Sequence, residues 1–138
     1  MATDSYEVRA IGWVESPLLD PAEAPLQGDE GAPDAWVVLE PAVLAGLQGL
    51  EPGHDVIVLT WLDRASRNVL AVHPRGDLSR PERGVFSTRS PDRPNPIGLH
   101  RVTIRSIEGR RILVSHLEAV DQTPVLDLKP VLEAISER

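Results

Sequence analysis

Hydrophobic and polar positions alternate over several short stretches of this 138-residue chain. Glu7 to Val14 alternates, with Val8 and Trp13 among its apolar positions, and predicts a first strand ended by Ser16-Pro17. Ala35 to Leu39 is a short apolar run that suits a second strand. Pro41 then opens a predicted short helix through Leu47, because proline in a first turn forfeits no needed N–H; Val43, Leu44 and Leu47 would form its inner face. Asp55 to Leu62, DVIVLTWL, is rich in β-branched residues and predicts a strand buried on both faces. Val69 to Val72, Gly84 to Ser87, Leu99 to Ile107 and Arg111 to Leu117 predict four more. Within Leu99 to Ile107, Val102 and Ile104 face one way and Arg101, Thr103 and Arg105 the other. Gly109 lies between the last two strands and predicts a hairpin over Ser106 to Arg111. Leu18 to Pro33 has no period and predicts a long surface loop, a kind of segment that often carries function. The expectation is a mainly β fold: one small β-barrel or curled sheet with a single short helix, one domain over residues 1–138.

Composition sharpens this picture. With 41% apolar, 25% charged and 4% aromatic residues the chain suits one compact domain, and 13 prolines with 10 glycines favour turns over long helices. Cysteine is absent, which removes disulfides, thiolate catalysis and cysteine-ligated metals. No stretch approaches the roughly 18 apolar residues of a membrane span, and Met1 to Tyr6 lacks the pattern of a secretory signal, so a cytoplasmic protein is expected. The net charge of −7 does not advertise a nucleic-acid partner, yet it is unevenly spread. Arg64 to Arg111 holds 11 arginines against 4 acids, a balance of +7 that leaves −14 for the rest.

Candidate chemistry concentrates in three segments. The chain has no GxGxxG, Walker lysine motif, HExxH or GxSxG, and its histidines, His54, His73, His100 and His116, form no close pair, so no metal site is expected. In GVFSTRSPDRPNPIGL, residues 84–99, Pro91, Pro94 and Pro96 stiffen the backbone around Arg89, Arg93 and Asn95. A stiff loop loses little entropy on binding, and arginine forks suit a carboxylate or phosphate; the plainer alternative is a turn braced by arginines. DQTPVLDLKP, residues 121–130, reads as a turn followed by an extended stretch with Asp127 and Lys129 on one side. VHPRGDLSRPER, residues 72–83, reads as a basic loop whose Arg-Gly-Asp triplet is chance.

Taken together and in order, VRAIGWVESPL, the Ala24-Pro25-Leu26-Gln27 loop, HPRGD, GVFSTRSPDRPNPIGLHRV and DQTPVLDLKPVL resemble the TrmO family, also called TsaA-like or YaeB-like, over nearly the whole chain. The resemblance implies a small β-barrel unlike the Rossmann-type methyltransferases, working as a homodimer with S-adenosylmethionine bound near the subunit interface. It carries cofactor positions onto Pro25, Leu26 and Gln27, Asp63 and Arg64, Arg89, Leu99, and Asp121, Gln122, Thr123 and Pro124. Arg89 would take the carboxylate end, Asp121 the ammonium or ribose, and backbone at Leu99 the adenine. Transfer from a sulfonium needs alignment more than a metal; if the acceptor nitrogen needs a base, Asp92 and Asp127 are the candidates.

Two positions depart from the family pattern. Asp63-Arg64 stands where many members carry His followed by Arg or Gln, and Asp121-Gln122 stands where Asp-Gly is usual. Since the sequence ends soon after DLKPVL, the resemblance is to the short form, expected to be without the additional carboxyl-terminal domain of longer bacterial members. The resemblance implies methylation of N6-threonylcarbamoyladenosine beside the tRNA anticodon, with the basic middle gripping phosphates. The acidic balance and the two departures leave open a small-molecule acceptor, and a non-catalytic S-adenosylmethionine-binding protein is the third alternative.

Overall fold

The computed structural model describes residues 4–25 and 31–132. Its eight strands are β1 (Gly12–Glu15), β2 (Ala35–Leu39), β3 (Asp55–Trp61), β4 (Ala71–Val72), β5 (Arg83–Gly84), β6 (Ile97–Glu108), β7 (Arg111–Val114) and β8 (Pro124–Pro130). Six of them pair antiparallel in the order β1-β2-β7-β6-β3-β8. The ring closes as a barrel where β8 returns to β1 through Gly12 opposite Val125 and Trp13 opposite Pro124. Closure leaves none of these six strands with a bare edge. β4 and β5 form a separate two-stranded ribbon.

Alternation decides what lies inside. Val14, Val37, Val58, Ile104, Val114 and Val125 are fully buried and meet in the barrel interior. β3 alternates strictly, so Val56, Val58 and Thr60 point inward while Ile57, Leu59 and Trp61 stay half-buried outside. The expected burial on both faces is therefore corrected: a barrel wall has one interior, and the outer apolar row of DVIVLTW is left on the surface. All three tryptophans project from outer faces and each carries an arginine: Arg110 over Trp13 at 5.7 Å, Arg111 over Trp36 at 4.3 Å and Arg67 over Trp61 at 5.1 Å from the ring centre. The guanidinium planes cover indole surface that the small core cannot take.

Several expected boundaries shift for identifiable reasons. The first strand starts at Gly12 rather than Glu7, because Tyr6 and Val8 find no neighbouring strand and are 87% and 69% exposed. Gly12 itself is dictated by a close approach, since a Cβ there would overlap the carbonyl oxygen of Val38 on β2. Gly84 to Ser87 is mostly a 3₁₀ turn over Val85–Ser87. Leu99 to Ile107 extends to Ile97–Glu108, and Arg111 to Leu117 shortens to Arg111–Val114. The 121–130 segment, expected to be a turn and an extended stretch, contains the seven-residue β8 that closes the barrel. The expected hairpin is present, with Glu108 opposite Arg111 and Gly109 at φ +61°.

The expected helix at Pro41–Leu47 is a 3₁₀ helix, and no α-helix occurs among the described residues. Seven residues without a side-chain N-cap and with Gly46 inside do not sustain an α-helix; packing of Val43, Leu44 and Leu47 on the core holds the tighter form. Among the described residues no helix is long and apolar enough to cross a membrane.

The antiparallel ring divides the connections between two rims, and the two longest, β1–β2 and β3–β6, share one of them. The β2–β3 connection and the β6–β7 hairpin emerge at one rim. The β1–β2 connection, the long passage from β3 to β6 and the β7–β8 connection all emerge at the other.

Candidate functional site

At the rim with the long connections, backbone hydrogen bonds knit segments far apart in sequence. The Asp121 N–H donates to the Leu18 carbonyl at 2.7 Å and the Gln122 N–H to the Val14 carbonyl at 2.6 Å. Asp121 Oδ1 accepts from the Ser16 N–H at 3.0 Å. Arg64 Nη1 reaches the Leu19 carbonyl at 3.2 Å, so the turn after β3 and the β7–β8 connection meet on the 16–19 segment.

The proline loop is braced from within. The Arg93 guanidinium donates to the carbonyls of Thr88, Ser90 and Val85, and its backbone N–H donates to Ser66 O at 3.1 Å. Asp92 Oδ1 accepts from the Ser66 N–H at 2.8 Å. Arg67 donates to Pro94 O at 2.7 Å and to Asn95 Oδ1 at 2.8 Å while stacking on Trp61. Arg93 is thus committed to the loop itself, as the plainer alternative of an arginine-braced turn has it. Arg89, four residues earlier, is exposed and makes no hydrogen bond or ion pair among the described residues.

The remaining sequence candidates fall as follows. Pro25 is half-buried after the turn Pro21–Glu23, whereas Leu26 and Gln27 lie outside the described residues. Asp63 is exposed beside Arg64. Leu99 is 44% exposed on the outer face of β6, opposite Leu59 and two positions from the 46% exposed Ile97. Thr123 is 2% exposed, and its hydroxyl donates to Val120 O at 2.7 Å, so its side chain serves the turn. Pro124 opens β8. Asp92 spends one oxygen on the Ser66 amide. Asp127 pairs with Lys129 at 3.3 Å and lines a groove with Val43, Leu47 and Leu50 under the 3₁₀ helix, away from the other candidates.

Beside Asp121 and Gln122 opens a shallow cleft of about 520 Å³, walled by Glu15, Ser16, Asp34 and Trp36. Three carboxylates give it a negative wall, tempered by Arg111 on Glu15 at 2.9 Å and Arg105 near Asp34 at 3.9 Å. In the 72–83 loop the hydroxyl and N–H of Ser79 both donate to Asp77 and hold its carboxyl below the usual range, a local turn rather than a ligand set. Among the described residues no three His, Asp or Glu side chains converge as a metal would require.

One constellation escaped the reading of the sequence. Inside the barrel, Thr60 Oγ1 and His100 Nε2 lie 2.7 Å apart, and His100 Nδ1 is 2.6 Å from Glu118 Oε1. Thr60 and His100 are 0% and 5% exposed, and Glu118 enters from the β7–β8 connection. The signal was available: the alternation that turns Val102 and Ile104 inward also turns His100 inward.

Residues 13–137 match the family model described as the tRNA-methyltransferase O N-terminal domain. The chain belongs to that family. It is 42% identical over 135 residues to a probable S-adenosyl-L-methionine-binding protein of Methanothermobacter thermautotrophicus, covering 98% of this chain and 96% of that one. It is 40% identical over 133 residues to an S-adenosyl-L-methionine-binding protein of Archaeoglobus fulgidus, covering 94% of each. Among solved structures, TrmO from Pseudomonas aeruginosa superposes with a TM-score of 0.75 at 28% identity, covering 99% of this chain and 61% of that one. The chain therefore spans about three-fifths of that crystallised protein. Against the family's usual Asp-Gly, the departure at Asp121-Gln122 now has a geometry. Gln122 sits at φ +68°, in the left-handed region that glycine occupies without a penalty.

Proposed function

We propose that this protein binds S-adenosylmethionine at the long-connection rim and transfers its methyl group to tRNA, at N6-threonylcarbamoyladenosine beside the anticodon. The observation that carries the reading is the family match over 13–137. The residues present suit the cofactor: Arg89, without a partner among the described residues, offers a guanidinium fork on a braced loop for a carboxylate. The Asp121 carboxylate and the negative cleft beside it suit a ligand that bears an ammonium and a sulfonium. The cofactor would supply an activated methyl group, and the protein's part is to hold donor and acceptor in line. With Asp92 and Asp127 both engaged elsewhere, alignment rather than a dedicated base is the protein's contribution in this reading.

A homodimer belongs to the same reading. Its support is the outer apolar row formed by Leu59, Trp61, Ile97 and Leu99 on the paired strands β3 and β6, beside the rim. The 11 arginines of Arg64 to Arg111 support a polyanionic acceptor. The acidic cleft and the net charge of −7 favour a second reading, a small-molecule acceptor on the same cofactor site.

Calorimetric titration with S-adenosylmethionine followed by transfer of a labelled methyl group tests both. Label in bulk tRNA supports the first reading and label in a metabolite extract the second. Binding without transfer leaves a cofactor-binding protein, and failure to bind overturns the whole reading.

A further inference from the structure

The buried polar chain beneath the rim has no part in the site as described so far. Its surroundings are otherwise apolar: Val58 and Val102 flank it on β3 and β6, and Leu117 and Ala119 bracket Glu118. In the β3–β6 ladder Val58 lies opposite His100 and Thr60 opposite Gly98, so Thr60 and His100 are diagonal neighbours on the inner face. Gly98 makes the diagonal possible, because a Cβ there would overlap Thr60 Oγ1 and come within 2.7 Å of His100 Nε2. Every member is satisfied, and no buried side-chain polar atom among the described residues lacks a partner. A satisfied polar chain in a small core fixes one arrangement of the elements it joins, because every alternative strands a polar group.

The elements it joins are informative. Thr60 and His100 sit on the two strands that lead into and out of the long β3–β6 passage, with its proline loop, while Glu118 belongs to the connection that carries Asp121 to Pro124. The 115–123 connection is held outwardly by the bonds of Asp121 and Gln122 to Leu18 and Val14. On its inner side, Leu117 and Ala119 pack into the core, Ser115 Oγ accepts from the Thr103 N–H at 3.0 Å, and Glu118 adds the polar grip on His100. A carboxylate only accepts, so Nδ1 carries the hydrogen of that bond and the ring orientation is set; Nε2 is then left to Thr60.

We propose that Thr60, His100 and Glu118 are positioning residues that lock the β7–β8 connection against the strands of the proline loop, and so fix the distance between the Asp121 and Arg89 halves of the cofactor site. The link to cofactor affinity rests on the reading that these halves hold S-adenosylmethionine. The mechanical part does not.

The decisive variants are Glu118→Ala, which removes the grip, and Glu118→Gln, whose amide oxygen still accepts from Nδ1. Both are made in the full chain and followed by calorimetry with S-adenosylmethionine and by amide hydrogen exchange. Glu118→Ala is expected to weaken binding by at least about tenfold, the lower end for a lost hydrogen bond to a charged group. It should also speed exchange at Ala119 to Thr123, and Glu118→Gln should restore both to near the parent values. A residue serving only overall stability would lower the melting temperature with affinity and local exchange unchanged in the folded fraction, which overturns the proposal. If the parent protein itself fails to bind, the reading of the site falls while exchange at 119–123 still decides the lock. Should Glu118→Ala not fold, Thr60→Val removes only the hydroxyl. A moved imidazole ¹⁵N resonance of His100 with weaker binding supports the chain; an unmoved resonance with parental affinity overturns it.

Discussion

The two rims of the barrel are built from the same six strands and solve opposite problems. At the far rim Gly109 closes a tight hairpin, and in the β2–β3 connection a 3₁₀ helix lays Val43, Leu44 and Leu47 on the core. Its polar groups brace the strand ladder itself: on neighbouring strands β3 and β6, Asp55 accepts from Thr103 Oγ1 at 2.6 Å and pairs with Arg101 at 3.3 Å. At the near rim, polar groups tie one connection to another: Ser16 N–H to Asp121 and Arg64 to the Leu19 carbonyl. Long connections cost entropy, and these crossings offset it while leaving a few groups, Arg89 foremost, unengaged. A stable wall with a spare cation on a rigid loop is the division expected when a scaffold holds a site.

The contrast is broken most severely at the seam of the wall. Gly12→Ala forces a methyl into the Val38 carbonyl, backbone against backbone, and is expected to cost more than about 3 kcal/mol, beyond the usual range for overpacking. Urea unfolding reads this directly, and a midpoint within error of the parent would show that the strands can slide apart. Next comes Arg93→Ala, which takes a charged donor from three carbonyls, although Val85 O keeps the Thr88 N–H and hydroxyl. About 3 kcal/mol of stability or less is at stake, since the site is only partly buried. The proline loop should then exchange its amides faster than the far rim. Equal protection of both would mean that the prolines alone hold the loop.

Arg89→Ala inverts that pattern. An exposed arginine with no partner among the described residues contributes little to folding, so the unfolding midpoint should stay put. Affinity for S-adenosylmethionine should fall by about 2 kcal/mol, within the range for a charged hydrogen bond. Unchanged affinity in calorimetry removes Arg89 from the site. At the far rim, Asp55→Asn tests the opposite kind of group. Its hydrogen bonds to Thr103 and Arg101 hold the Asp55 carboxyl below its ordinary 3.8, so its contribution is fully present above pH 3.8 and is lost as pH falls through the lower folded value. The gap between Asp55→Asn and the parent should therefore be open at neutral pH and close below pH 3.8. A gap independent of pH would assign the effect to packing. The group is substantially exposed, which keeps the gap small.

How much of this was readable in advance follows from which forces act locally. β3, β6 and the β6–β7 hairpin declare themselves through alternation and a turn glycine, both local properties. β8 did not, because its prolines and its Asp127–Lys129 pair disguise a strand whose order comes from two partners distant in sequence. Glu7 to Ile11 erred in the other direction, an alternating run with no strand beside it. In the proline loop the stiffness and the cations were evident, but the division of labour between Arg89 and Arg93 was not. Which arginine curls back onto the loop depends on three carbonyls whose direction only the fold sets. The inward His100 was written in the alternation and passed over, because its partners lie 40 and 18 residues away.

The smallest expected effect separates stability from function at the cleft itself. Gln122 holds φ +68° beside the negative wall. For an L residue that conformation costs roughly 1–2 kcal/mol, and Gln122→Gly relieves it. Glycine in turn loses more freedom on folding, by about 0.5–1 kcal/mol. The difference leaves a gain of about 0.5 kcal/mol, visible as a slightly higher urea midpoint. The side chain makes only a 3.5 Å contact with Asp121 Oδ2, so little else is lost with it. If the midpoint rises, Gln122 is retained against the interest of the fold, and the backbone here is shaped for a ligand or acceptor that the amide touches. If it falls, the Gln122 side chain contributes more to the turn than its one long contact suggests, and the departure from the family pattern is a matter of local structure rather than of the acceptor.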